Sequence, residues 1–476
     1  MKKLFTTILL ASALTSCGFL DVNPKGEVFD QDMYSTAEGY EDALYGIYAE
    51  LGTATYLYSD YLYWIPEVLS INSSISDLGL QYMAVAQWYA YNATSIRNGV
   101  WGASYKVINH LNNIIGHIEE GGEDQFRYSR IYKGEALALR ALVHFEVLRL
   151  FGAPVWASAA DKARAIPYVN KYSFSITPFS SVDQAYEKII ADLEEAERCL
   201  AEDEELLPRQ RDNSSAGGFT SCRIIHMNLY AVQALLARVY WSRNDLDNAA
   251  VYADKVIKSG KFSFRDKSSF VQFDNGTLDL KETIFGIYSQ SSNSKNAAKY
   301  GLSGSGTSLV IASDWRSLYN DGSSSTGSDY REAAWFDGSR LRVLVNNSFI
   351  EGSGSYSGPS ILGVNVLRIS EMYYIMAESL LSSDSEAATL YYDEAVASRG
   401  LDRLTESGRT VNSEILYNER RKEFYGEGLH WHDMKRLGKD IQADATTFLS
   451  GTDINTYKLP LPTSEEANRD EEGVKQ

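Results

Sequence analysis

Between Asn418 and Arg436 the chain reads NERRKEFYGEGLHWHDMKR, with five bases, four acids and two histidines flanking a tryptophan. Such a density of titratable groups is what acid–base catalysis or a metal centre would need. The spacing supports neither. His430 and His432 stand two apart, so on a helix they point to different sides, and His110 and His117 lie about 10 Å apart along a helix axis. A carboxylate pair for glycoside hydrolysis cannot be singled out among 63 acids. The sequence contains no GxSxG, HExxH, CxxC or phosphate-binding glycine loop, so no catalytic residue, metal ligand or cofactor is assigned. Phe424, Trp431 and Met434 instead form an apolar stripe, and Gly426 and Gly428 mark a break between two short helices. Arg420 reaches Glu423 and Asp433 reaches Arg436 at i, i+3 spacing. The stretch reads as a charge-paired clamp that fixes the C-terminal region onto a helical layer.

That layer shows in the apolar periodicity. In GEALALRALVHFEVLRLFGAPV, residues 134–155, Leu137, Ala141, Phe145 and Leu148 recur at three- and four-residue steps, and Gly152 and Pro154 end the run. Residues 226–260 and 367–400 share a helix–turn–helix cadence, with Ala249, Ala250 and Ala253 in one and Ala387, Ala388 and Ala395 in the other at the contact. Small residues at such positions let helices approach as tetratricopeptide-like pairs do. Further helices are predicted over residues 181–200 and 101–118. Residues 289–308, 321–328 and 351–359 are rich in Ser, Gly and Asn and read as long loops, and Thr283–Tyr288 reads as a short strand. The fold class is mostly α, with tetratricopeptide-like helix pairs packed against a loop-rich region with little β.

At 476 residues and 44% hydrophobic composition, the chain suffices for one large or two ordinary domains. A net charge of −18 argues against nucleic acid as a partner. The opening MKKLFTTILLASALTSC joins two lysines to a short apolar run and a cysteine, the pattern of an export signal. Leu14-Thr15-Ser16-Cys17 resembles a bacterial lipobox, which makes Cys17 the expected lipid anchor. No later segment is long and apolar enough to span a bilayer. Cys199 and Cys222 either pair or stand as buried thiols.

Aromatic stretches supply the other chemistry. YSDYLYW, residues 58–64, and QWYAYN, residues 87–92, set flat rings beside hydrogen-bonding groups, as stacking on a pyranose requires. Trp101 is read as structural, and Trp315 and Trp335 as core residues.

Taken in order, several segments resemble the SusD/RagB lipoproteins of Bacteroidetes. They are CGFLDVNP from Cys17, WGASYKVINHLNNII from Trp101, EALALRALVHFEVLRLFGAPV, LLARVY with its polar turn, LRISEMYYIMAESL, ERRKEFYGEGLHWHDMKRLG and YKLPLPTSE. His430 stands where that family often has an arginine. The resemblance implies four tetratricopeptide-like helix pairs, no enzymatic activity, and a place at the outer membrane, lipid-anchored and facing the cell exterior. It implies the lid of a SusC-like TonB-dependent transporter, to which oligosaccharides, or in some members peptides, are handed. Its division here is a signal peptide at 1–16, an N-terminal region at 17–280 and a C-terminal region at 281–476. By the same resemblance Trp88, Tyr91 and Tyr300 are expected to stack on ligand, with Asn92 and Arg97 as polar partners and Trp64 as a further candidate. A peptide-capturing relative of the same fold, and a periplasm-facing tetratricopeptide scaffold, remain as alternatives.

Overall fold

The computed structural model describes residues 30–75, 94–207, 215–266, 275–304, 309–320, 329–351, 361–442 and 448–465. Cys17 and the signal segment lie outside them. Helix α1 (Ala37–Thr53) and helix α2 (Tyr61–Leu69) precede a stack formed by α3 (Thr94–Gly121), α4 (Ser129–Phe151), α5 (Val182–Cys199), α6 (Leu229–Ser242) and α7 (Leu246–Lys258). Each helix of the stack packs against the next. α4 is buried along almost its whole length because alanines alternate with large apolar residues on every face, which suits a helix enclosed by others. Its Arg140 forks onto Asp192 of α5 at 2.7 Å and reaches Asn112 of α3 at 2.8 Å, so a single guanidinium ties three helices together.

The caps follow local rules. Ser181 and Gln184 form a reciprocal capping box at the start of α5, and Asn228 and Asp245 cap α6 and α7. Ser181→Ala is expected to cost about 1 kcal/mol. A urea midpoint unchanged by the substitution would show that α5 is held by packing alone.

After α7 the chain leaves the stack and builds α8 (Gln290–Lys299) and a three-stranded sheet. In that sheet β2 (Thr277–Leu278) and β3 (Thr283–Tyr288) flank β5 (Ile361–Arg368), both antiparallel to it. A separate strand pair joins β1 (Ser73–Ile75) to β4 (Leu309–Ile311). The stack then resumes with α9 (Ile369–Leu380) on α7 and α10 (Ser385–Ala397) on α9, followed by α11 (Ser413–Glu423) and α12 (His430–Leu437). The principal core accordingly draws residues from both sides of position 280.

Three local expectations are corrected. The Ser-, Gly- and Asn-rich composition of residues 289–308 predicts a loop, yet Gln290–Lys299 is helical. Ser289 caps it, and its polar residues are spent on tertiary bonds: Asn293 donates to the Gly276 carbonyl at 2.9 Å and accepts from the Asn346 amide at 2.6 Å. Arg420 pairs with Asp433 rather than Glu423, and Arg436 with Glu378 rather than Asp433. Positive φ at Gly426 and Gly428, 87° and 73°, turns α12 back onto α11, so tertiary partners replace sequence neighbours. Cys199 and Cys222 are both buried and form no disulfide with each other. Trp315 and Trp335 are buried in a second core cluster, and Trp101 packs on Tyr105 and Phe151.

Candidate ligand-binding face

α2 begins after Asp60 and sorts the aromatics of residues 58–64 by helical phase. Tyr58 and Tyr63 point into the core, where their hydroxyls donate to Glu146 and to the Asn365 carbonyl. Tyr61 and Trp64, three residues apart on one helix face, are half-buried and in contact, with ring centroids 4.9 Å apart. Tyr56, in the turn before α2, stacks on Tyr61 at 5.0 Å with planes 28° apart. Tyr56 lies so close to α3 that a Cβ at Gly99 would sit 2.4 Å from its ring. The result is a run of three half-exposed rings.

Polar groups border the run. On α8, Lys299 pairs with Asp60 and holds its ammonium 5.7 Å from the Trp64 ring. Burial pushes Lys299 down to about 8. One turn earlier, Lys295 donates to Ser59 at 3.0 Å and to Thr55 at 3.5 Å. The Trp64 indole N–H is buried with no acceptor among the described residues. Three ring faces beside two ammonium groups, a carboxylate and hydroxyls can stack on the C–H face of a sugar and bond its rim hydroxyls.

The face rests on the charged stretch. Glu67, on the buried side of α2, accepts from the Gly428 amide at 2.8 Å and from Asn72 at 3.2 Å. Arg421 donates to Asn72 at 2.9 Å, and the Tyr425 hydroxyl donates to the Asn72 carbonyl. Burial raises the Glu67 carboxyl to about 7 against the lowering effect of these bonds. A carboxyl raised on folding contributes stability in full below its unfolded value, and that contribution is lost as pH rises through the folded value. Between about pH 4.5 and 7 the loss attributable to Glu67 amounts to about 3 kcal/mol. Denaturant titrations at pH 5 and 8 should show the fall for the native chain and a much smaller one for Glu67→Gln. Equal falls would remove Glu67 as the cause.

Of the residues expected to touch ligand, Trp88, Tyr91 and Asn92 lie outside the described residues. Trp64 lies in the aromatic run. Tyr300 does not: it is 2% exposed in the second core cluster, its hydroxyl 3.4 Å from Ser73, because it ends α8 with its ring turned inward. Its neighbours Lys295 and Lys299 reach the face instead. Arg97 is buried near the start of α3 rather than offered to solvent. Tyr56 was missed because no sequence signal sets it apart from other turn tyrosines.

Comparison with known proteins agrees with this architecture. Residues 18–241 match a family model described as starch-binding, associating with outer membrane, and residues 341–473 match the SusD family model. SusD-like protein P2 of Formosa agariphila is 25% identical, over 98% of this chain and 97% of its own. Among solved structures, a SusD superfamily protein of Bacteroides thetaiotaomicron superposes with a TM-score of 0.70 at 22% identity, over 91% of this chain and 98% of its own. Surface glycan-binding protein A of Bacteroides fluxus superposes at 0.67 and 19% identity, over 92% of this chain and 98% of its own. With family models matching both its N-terminal and C-terminal parts and relatives aligned along nearly its whole length, the chain belongs to the SusD/RagB family.

Proposed function

We propose that this chain is a glycan-binding lipoprotein, anchored in the outer membrane through Cys17 and facing the cell exterior. It captures oligosaccharides on the Tyr56–Tyr61–Trp64 face and passes them to a SusC-like TonB-dependent transporter. The observation that carries the reading is the three-ring run bordered by Lys295, Lys299 and Asp60, the combination a pyranose needs. The starch-binding, outer-membrane description of the matched family model supports it, as does the structural likeness to a surface glycan-binding protein. Among the described residues no helix is long and apolar enough to cross a membrane, which fits attachment by lipid. The chain acts by binding and release, without an enzymatic step.

A glycan array probed with the detergent-solubilised chain, with oligopeptides printed beside the sugars, tests the ligand class. Retention by a defined subset of oligosaccharides, with quenching of tryptophan emission in solution, is expected. A signal confined to oligopeptides would replace glycan capture with peptide capture. Protease added to intact cells should cut the chain; complete protection would place it on the periplasmic side.

A further inference from the structure

A second polar cavity, of about 30 Å³, lies apart from the aromatic face, where the end of α4, the start of α5, the end of α6 and α12 meet. Its polar lining comes from Arg149, Tyr186, Ser242, His432, Lys435 and Arg436, and no acidic residue among the described residues lines it. The carboxylates that neutralise these bases stand outside the lining: Glu146 pairs with Arg149, and Glu378 pairs with Arg436 at 2.5 Å. Each guanidinium therefore spends a terminal nitrogen on its carboxylate. Nε of Arg149, Nε of Arg436 and Nδ1 of His432 are buried without a hydrogen-bond partner among the described residues. Lys435 is held in place by the Arg149 and Gly152 carbonyls, at 2.6 and 2.7 Å. Arg436 is also fixed against the Trp241 ring, 3.9 Å from its centroid.

Buried N–H donors that lack an acceptor are costly, and a cluster of them on basic side chains costs most. We propose that this cavity binds one small oxyanion group, a carboxylate, sulfate or phosphate, whose oxygens serve these donors. The volume is about 30 Å³, room for two or so water-sized atoms, so two oxygens of such a group can enter it while a sugar ring cannot. Water supplies acceptors alone, whereas an anion adds negative charge inside a lining whose neutralising carboxylates stand outside it.

Charge linkage gives the site a signature. Burial first, then Arg149, Lys435 and Arg238, push His432 well below its ordinary value; burial, then Lys458 and Arg149, do the same to Lys435. The other charged or titratable groups around them are Glu146 on α4, Tyr186 on α5, Arg243 after α6, Glu378 on α9 and Asp433 on α12. An anion placed among these bases raises His432 and Lys435 again, so binding takes up protons and tightens as pH falls.

The test is calorimetric titration of the full chain in detergent at constant ionic strength. Sodium sulfate, sodium acetate, sodium glucuronate and neutral glucose are the probes, at pH 6 and 8, in two buffers of different ionisation enthalpy. One saturable anion site is expected, about tenfold tighter at pH 6, with proton uptake and no response to glucose. Arg436→Lys, which keeps a charge for Glu378, and His432→Phe should each weaken it about tenfold. Ser242→Val, which touches no ion pair, should block the cavity if either variant melts early. Acetate binding as well as glucuronate would identify a free anion as the ligand; a clear preference for glucuronate would identify the carboxylate of an acidic sugar whose ring stays outside the cavity, and either result supports the proposal. No saturable heat, glucose binding like glucuronate, affinity without proton uptake, or native affinity in the variants would overturn the proposal and leave the cavity to water.

Discussion

Glu423→Gln is expected to lower stability by about 3–5 kcal/mol and the melting temperature by roughly 3–5 °C. Glu423 is the hub of a fully buried network. It bonds Arg399 at 2.6 and 3.0 Å, Arg368 at 2.6 Å and Arg331 at 2.9 Å. Arg399 extends the network to Glu282 at 2.7 Å, and Arg331 extends it to Asp329 and to Glu419. Burial pushes the Glu423 carboxyl up, but Arg399, Arg368 and Arg331 overcome that and hold it well below the usual range. Removing the charge leaves three buried guanidinium groups undercompensated, and that penalty dominates over the loss of any one hydrogen bond. The sign with pH follows. A carboxyl lowered on folding contributes stability above its unfolded value and loses it as pH falls through the folded value. The gap between native and Glu423→Gln chains should therefore be widest near neutral pH and narrow in acid. Calorimetry at both pH values checks this, and a melting point indistinguishable from native at neutral pH would show that the network contributes no net stability.

Trp64→Ala should weaken oligosaccharide binding by about 2 kcal/mol, roughly 30-fold. Trp64 is the innermost ring of the run, held by Tyr61 on one side and by the Lys299 ammonium nearby. It also packs against both core clusters, so the alanine variant will lose some stability as well. Trp64→Phe separates the two effects. It keeps a stacking ring and most of the packing but removes the indole N–H that has no acceptor among the described residues. Binding by the phenylalanine variant should fall only a few-fold, with near-native melting. Native affinity in the alanine variant, measured by titration with an array-positive oligosaccharide, would rule the face out as the binding site.

The helical layer was legible because its signals are local. The spacing of Leu137, Ala141, Phe145 and Leu148 and the small residues of α7 and α10 each specify structure within a few positions of themselves. α8 was not legible, because SQSSNSKNAAK has weak helix propensity and depends on bonds from Asn293 to Gly276 and Asn346, which lie far away in sequence or are brought near by the fold. That miss hid Lys295 and Lys299 from the candidate site. Trp64 could be named from its ring, but separating it and Tyr61 from buried Tyr58 and Tyr63 required knowing where α2 begins. The charged stretch was legible as a clamp and not as a set of pairs: long buried side chains choose partners in space, and Arg420 finds Asp433 only after the two glycines reverse the chain.

The most direct measurement is a crystal structure of the chain with an oligosaccharide that the array identifies. A sugar ring lying flat against Trp64 and Tyr61, with hydroxyls bonded to Asp60, Lys295 or Lys299, is the expected result. Sugar bound elsewhere, with the Tyr56–Tyr61–Trp64 face empty, would contradict glycan capture at this site.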